Sequence, residues 1–185
     1  MPAPSGQLAT AGWQARLKAG SLTGDWTLDP RQSSIRLTSK LMGLARVSGV
    51  FGEVSGTAAV GPDGAISGTV TVAAASIDTR NPRRDRHLRS ADFFDSEYHP
   101  DLTFSTDTVR LSGQGATVTG ALTVRGVTRP LSFEAVLSGR GDDEAGLDAE
   151  FRINRADFGL SWNVLGLASM MATVTIHATF SATER

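Results

Sequence analysis

The side chains best equipped for chemistry in this chain are concentrated between Asp78 and Asp101. The first half of that segment carries Arg80, Arg83, Arg84, Arg86 and Arg89, with Asp85 and His87 among them. The second half carries Asp92, Asp95, Glu97 and Asp101. His87 with Asp85 and Asp92 has the composition of an acid/base group, because an imidazole titrating near neutrality can exchange a proton with its surroundings. Arg84 and Arg89 have the makings of a clamp for a carbonyl or phosphate oxygen, since a guanidinium presents a fixed fork of donors. The plainer expectation, which the spacing favours, is that the adjacent opposite charges pair with one another and fasten the segment in place. Asp157 beside Arg155 reads the same way, as a structural pair. His99 and His177 stand apart. The sequence has no Ser/His/Asp arrangement, no metal-ligand spacing and no phosphate-cradling glycine loop.

The elements around this segment are written in period two, the signature of half-buried strands. In 66–72, Ile66, Gly68, Val70 and Val72 share one face, and Ser67, Thr69 and Thr71 the other. The pattern returns with Val118, Gly120, Leu122 and Val124, with Leu131, Phe133, Ala135 and Leu137, and with Leu147, Ala149, Phe151 and Ile153. A last run sets Val174, Ile176, Ala178 and Phe180 against Thr175, His177 and Thr179. Turn residues fall between the runs at 61–64, 112–115, 126–130 and 139–143. Eight strands are predicted, near 34–40, 46–60, 65–78, 102–111, 116–126, 130–139, 146–155 and 172–183. An all-β, eight-stranded antiparallel barrel is the fold expected, since closure removes every sheet edge.

Two connections break the rhythm. Residues 79–101 should include a short helix near 82–89. Residues 156–171 carry Phe158, Leu160, Trp162, Leu165, Leu167, Met170 and Met171 without alternation. Residues 1–23 form an N-terminal extension before a barrel domain at 24–185. Within the extension, Thr10 to Gly20 reads either as a short helix with a Trp13/Leu17 pair or as disorder.

A net charge of −1 gives no basic excess for nucleic-acid binding. The chain has no cysteine, which excludes disulfides and thiolate chemistry. The opening residues show no charged head and apolar run, so a soluble, cytoplasmic protein is expected. Glycine is abundant, 20 of 185 residues. Gly49, Gly56, Gly68 and Gly120 fall in strand patterns, where they serve sharp coiling and bulges, leave room for a guest, or both. The inward set otherwise holds aliphatic and Phe side chains. Ile35, Leu37, Phe51, Val70, Val72, Leu122, Val124, Phe133, Phe151 and Ile176 are expected to wall a dry pocket suited to a long hydrocarbon, with Met170 fitting an irregular outline.

Several motifs, in order, resemble the YceI-like family of lipocalin-like, polyisoprenoid-binding proteins over about 24–183. They are Trp26-Thr-Leu-Asp-Pro30, Ser33-Ser-Ile35, Leu41-Met-Gly43, Val47-Ser-Gly-Val-Phe51 and Ser76-Ile-Asp-Thr-Arg-Asn81. Arg84-Asp-Arg-His-Leu-Arg-Ser-Ala-Asp-Phe-Phe-Asp95, Pro100-Asp-Leu-Thr-Phe104, the run 119–130 and Asn154-Arg-Ala-Asp-Phe-Gly159 follow. The resemblance implies a barrel enclosing a polyprenyl chain, of the isoprenoid-quinone or polyprenyl-phosphate type, for storage or transport without catalysis. The lipid would be a ligand, and no cofactor is implied. By match, Phe93, Phe94, Phe104, Phe158 and Trp162 would lie in or near the cavity, with Arg84 and Arg89 as head-group candidates. Transient membrane contact and a homodimer are in keeping with the family. Two features depart from it: many relatives carry a secretory signal, and Ala168 to Thr173 lacks the Gly and acidic residue often found there. An enzyme working on a prenyl lipid at the barrel mouth, and a self-filled barrel serving as a stress or protein-interaction module, stand as alternatives.

Overall fold

The computed structural model describes residues 5–183 except 42, 44, 114 and 163–167. Eleven strands form one antiparallel sheet that closes on itself. They are β1 (Gly24–Leu28), β2 (Ser34–Leu41), β3 (Ala45–Phe51), β4 (Val54–Val60), β5 (Ile66–Ala73) and β6 (Ile77–Asp78), then β7 (Asp101–Ser112), β8 (Gly115–Val124), β9 (Val127–Arg140), β10 (Glu144–Asn154) and β11 (Ala168–Ala182). Six of them combine into three broken staves. β1 and β2 both run along β11, with Leu28 opposite Phe180 and Ile35 opposite Ile176. β3 and β4 follow the same course beside them, and β5 and β6 beside those. The result is a closed antiparallel barrel of eight staves, a lipocalin-like fold.

The expected strands recur as these staves, with one addition. β1 precedes the first predicted strand and is separated from β2 by Asp29-Pro30, whose turn hides the continuation from a period-two reading. On β7, the bulge between Thr106 and Thr108 changes the buried face from Leu102, Phe104 and Thr106 to Val109. Gly120 lies opposite this bulge, and a Cβ there would come within 2.1 Å of the Ser105 carbonyl. That glycine is required by close strand approach rather than by room for a guest.

Each end of the barrel has its own helix. Helix α1 (Ser5–Lys18) crosses the lower end, and Gly20 ends its turn with φ at +72°. Trp13 and Leu17 pack there with Leu22, Trp26, Val60, Ala116 and Leu137. Arg16 donates to the Gly141 carbonyl and pairs with Asp142, pinning α1 to the β9–β10 turn. Helix α2 (Pro82–Arg89) covers the upper end. Asn81 caps it by accepting from the backbone N–H groups of Arg83 and Arg84, and Pro82 occupies a first-turn position where a missing donor costs nothing. A short 3-10 turn, η1 (Ala74–Ser76), leads into β6, and a second, η2 (Arg155–Phe158), follows β10 on the same side as α2. Among the described residues no helix is long and apolar enough to cross a membrane.

Candidate functional site

The barrel encloses a cavity of about 400 Å³ bordered by Trp13 and Trp26 below and by Arg84, His87 and Trp162 above. That volume lies within the roughly 300–1,000 Å³ of sites holding small molecules. The alternation of each stave supplies the wall. Ile35 and Leu37 face inward from β2, Phe51 from β3, Val70 and Val72 from β5, and Phe104 from β7. Leu122 and Val124 do so from β8, Phe133 from β9, Phe151 from β10 and Ile176 from β11. The aromatic rings make two groups. Phe133 stacks on Phe151 at 4.5 Å and meets Phe104 at 5.5 Å in the middle of the barrel. Phe94 meets Phe93 at 4.9 Å and Phe51 at 5.9 Å beneath the upper connection. Phe158 also lines the cavity, and Trp162 stands at its rim, 40% exposed.

Two residues expected at the cavity lie elsewhere. Met170 is absent from the wall because β11 slips register between Ala168 and Ala172, breaking the inward alternation there. Arg89 is also outside the wall and donates to the Ile77 carbonyl at 3.0 Å. Leu165 and Leu167 lie outside the described residues. Sequence reasoning passed over Trp13, Trp26, Leu28, Val54, Leu88 and Leu160, all of which border the cavity. The Trp13/Leu17 spacing and the short apolar run of β1 were the available signals.

The charged connection is fastened differently from expectation. Among the described residues, none of its arginines pairs with the acids of 92–101; the ion pair there joins His87 to Asp92, at 3.8 Å. Arg84 instead donates from Nε to the Thr79 hydroxyl and from Nη2 to the Thr79 carbonyl, at 2.8 and 2.9 Å. Asp85 is buried and accepts from the Thr79 N–H and hydroxyl. Backbone carbonyls left exposed at the end of β6 take donors that distant carboxylates would otherwise receive. The acid/base group is not assembled: Asp85 is committed to Thr79, and the His87–Asp92 separation exceeds a hydrogen bond. His177 does lie on the outer face, bonded to Asp148.

Arg155 does not pair with Asp157 either. Its Nε donates to the Ser169 carbonyl at 2.9 Å, and Nη1 to those of Leu160 and Trp162 at 3.2 and 3.0 Å. These bonds tie η2, the following segment and β11 together under a guanidinium that sits 5.6 Å from the Phe93 ring centroid. Burial holds its pKa below the usual arginine value. Among the described residues no cluster of His, Asp and Glu could hold a metal ion.

A closed eight-stave antiparallel barrel around an apolar axial cavity defines a lipocalin-like class. Within that class the chain belongs to the YceI-like family, whose domain model matches residues 26–182. It is 36% identical over 161 residues to a UPF0312 protein of Pectobacterium atrosepticum, covering 82% of this chain and 83% of that one. It is 41% identical over 112 residues to Escherichia coli protein YceI, a match spanning 58% of the length of each. Among solved structures, a polyisoprenoid binding domain from Saccharophagus degradans, implicated in plant cell wall breakdown, aligns with a TM-score of 0.74 at 15% identity. That alignment covers 85% of this chain and 98% of the other, and at such identity it speaks to the fold. Helix α1 precedes the family match.

Proposed function

We propose that the protein binds a polyisoprenoid lipid in its axial cavity and stores or carries it without a catalytic step. The single observation that carries this reading is the continuous apolar cavity from Trp13 to Trp162. A self-filled barrel would not contain it. The name of the Saccharophagus degradans domain, as a polyisoprenoid binding domain, supports the choice of lipid.

The energetics suit a carrier. Burying a five-carbon isoprene unit contributes roughly 4 kcal/mol relative to water, at about 0.8 kcal/mol per carbon group. The competing environment for such a lipid is a membrane, where the tail is already dry. The net preference then comes from packing against the Phe and aliphatic wall, less the entropy of ordering the tail. Reversible exchange during transient membrane contact follows from that balance.

Protein purified from its native cells, extracted with organic solvent and analysed by mass spectrometry, should release a polyisoprenoid in near-stoichiometric amount. The same lipid returned to stripped protein should be recovered chemically unchanged. Conversion to a product would favour the enzymatic alternative, and absence of any prenyl lipid together with no uptake of added polyprenol would refute the proposal.

A further inference from the structure

Arg155 is 4% exposed and borders the cavity. Its Nε and Nη1 are engaged by three backbone carbonyls, but Nη2 is buried and has no hydrogen-bond partner among the described residues. Nor does a carboxylate answer its charge. None of the ion pairs among the described residues includes Arg155. Fastening the loop accounts for Nε and Nη1; it leaves Nη2 unexplained. A buried cation with only neutral partners is costly, and an anion meeting it would offset that cost.

His87 supplies a second, independent observation. Its Nε2 is buried without a partner among the described residues, and the ring borders the same cavity. The ring centroid lies 4.1 Å from that of Trp162, whose carbonyl accepts from Arg155. Both unpartnered nitrogens therefore belong to residues gathered around Trp162 at the upper end.

Building on the prenyl-lipid reading, we propose that Arg155 Nη2, assisted by His87 Nε2, receives the anionic oxygen head group of the lipid, a phosphate or a carboxylate. The guanidinium fork matches either group, and the apolar cavity below takes the tail. This assignment favours an anionic prenyl lipid over a neutral quinone.

The test uses the full chain, stripped of lipid, and three probes sharing one tail: geranylgeranyl phosphate, geranylgeranoic acid and geranylgeraniol. The wild type should bind at least one of the two anions about tenfold or more tightly than the alcohol, a difference of about 1.4 kcal/mol. A stronger phosphate or a stronger acid identifies which anion the site is built for. Arg155→Met should erase the preference, so that neither anion binds more tightly than geranylgeraniol to the same variant. His87→Phe, which keeps a ring beside Trp162, should reduce the preference, and Arg86→Met, at an exposed position of α2 outside the cavity wall, should leave it intact. Equal binding of all three probes by the wild type, or a preference that survives Arg155→Met, overturns the assignment without touching the prenyl-lipid reading. Failure to bind any probe counts against that reading itself. Should Arg155→Met not fold, nitrogen NMR of the arginine-labelled wild type decides. The buried guanidinium should shift with an anionic probe and not with the alcohol; no shift with any anion that binds overturns the assignment.

Discussion

At the lower end of the barrel, α1 lays Trp13 and Leu17 on a bed of Leu22, Trp26, Val60 and Leu137, and Leu17 is wholly buried. At the upper end, α2 and the segment after η2 are also fastened by side chains bonded to carbonyls: Arg84 to Thr79, Arg89 to Ile77, Arg155 to Leu160, Trp162 and Ser169. Both ends are packed, the upper one by Phe93, Phe94, Phe158 and Leu160, but only the upper end adds this set of arginine-to-carbonyl bonds beside the cavity. Both ends contain buried donors without partners among the described residues, but those below are the neutral Trp13 Nε1 and Gln14 Nε2, whereas those above include a guanidinium. The contrast suits a hydrocarbon stop below and a polar entrance above.

The comparison breaks most readily at Trp13. Trp13→Ala should cost about 3–5 kcal/mol, as expected for truncating a large buried aromatic side chain, and should lower the thermal midpoint accordingly. If the lower end is a stop, the variant should also accept longer polyprenols than the wild type. An unchanged length preference would mean that α1 covers the barrel without limiting it. Gly139 gives a related probe, since a Cβ there would meet the Trp13 indole well inside contact distance. Gly139→Val should therefore displace Trp13 while leaving the staves closed, visible as a shift in tryptophan fluorescence with little change in the far-ultraviolet β signal.

A smaller effect is expected above. Asp85→Ala strips the buried acceptor from the Thr79 N–H and hydroxyl, and should cost about 1–3 kcal/mol in denaturant unfolding. It should also loosen α2 and speed lipid exchange, which Trp13→Ala should not do through this route. In the opposite direction, Gln14→Leu removes an unpartnered buried amide nitrogen and should raise stability by about 1 kcal/mol.

The smallest effect lies on the side of the barrel. Hydrogen bonds from Gln32 and the Arg31 backbone hold the Asp29 pKa below the ordinary carboxylate value. A depressed acid pKa stabilises the fold above its unfolded value, near 4, and that contribution is lost as pH falls through the native pKa. Asp29→Asn should flatten this part of the acid-unfolding profile and leave neutral-pH lipid binding alone.

The same division explains what could be read from the chain. The wall was legible because strand alternation assigns a face to each side chain: Val70, Leu122, Phe133 and Ile176 line the cavity as their patterns imply. Met170 escaped that logic because a bulge in β11 interrupts the inward row between Ala168 and Ala172, and bulges leave little trace in composition. The polar end was harder. Neighbours in sequence suggested Arg155 with Asp157 and the arginines with the following acids, but long side chains reach across the fold to carbonyls that no local pattern reveals. The role of α1 depended on where a helix outside the repeating pattern would dock, and only tertiary packing decides that.

All three tryptophans, Trp13, Trp26 and Trp162, border the cavity, two at its lower end and one at its upper rim. Titrating lipid-stripped protein with a polyprenyl phosphate while following their fluorescence is the most direct test of the account. A saturable change at one lipid per chain, lost when Leu122→Trp fills the cavity, is the predicted result. Binding that persists undiminished in a correctly folded Leu122→Trp variant, or no spectral response to any prenyl lipid, would contradict it.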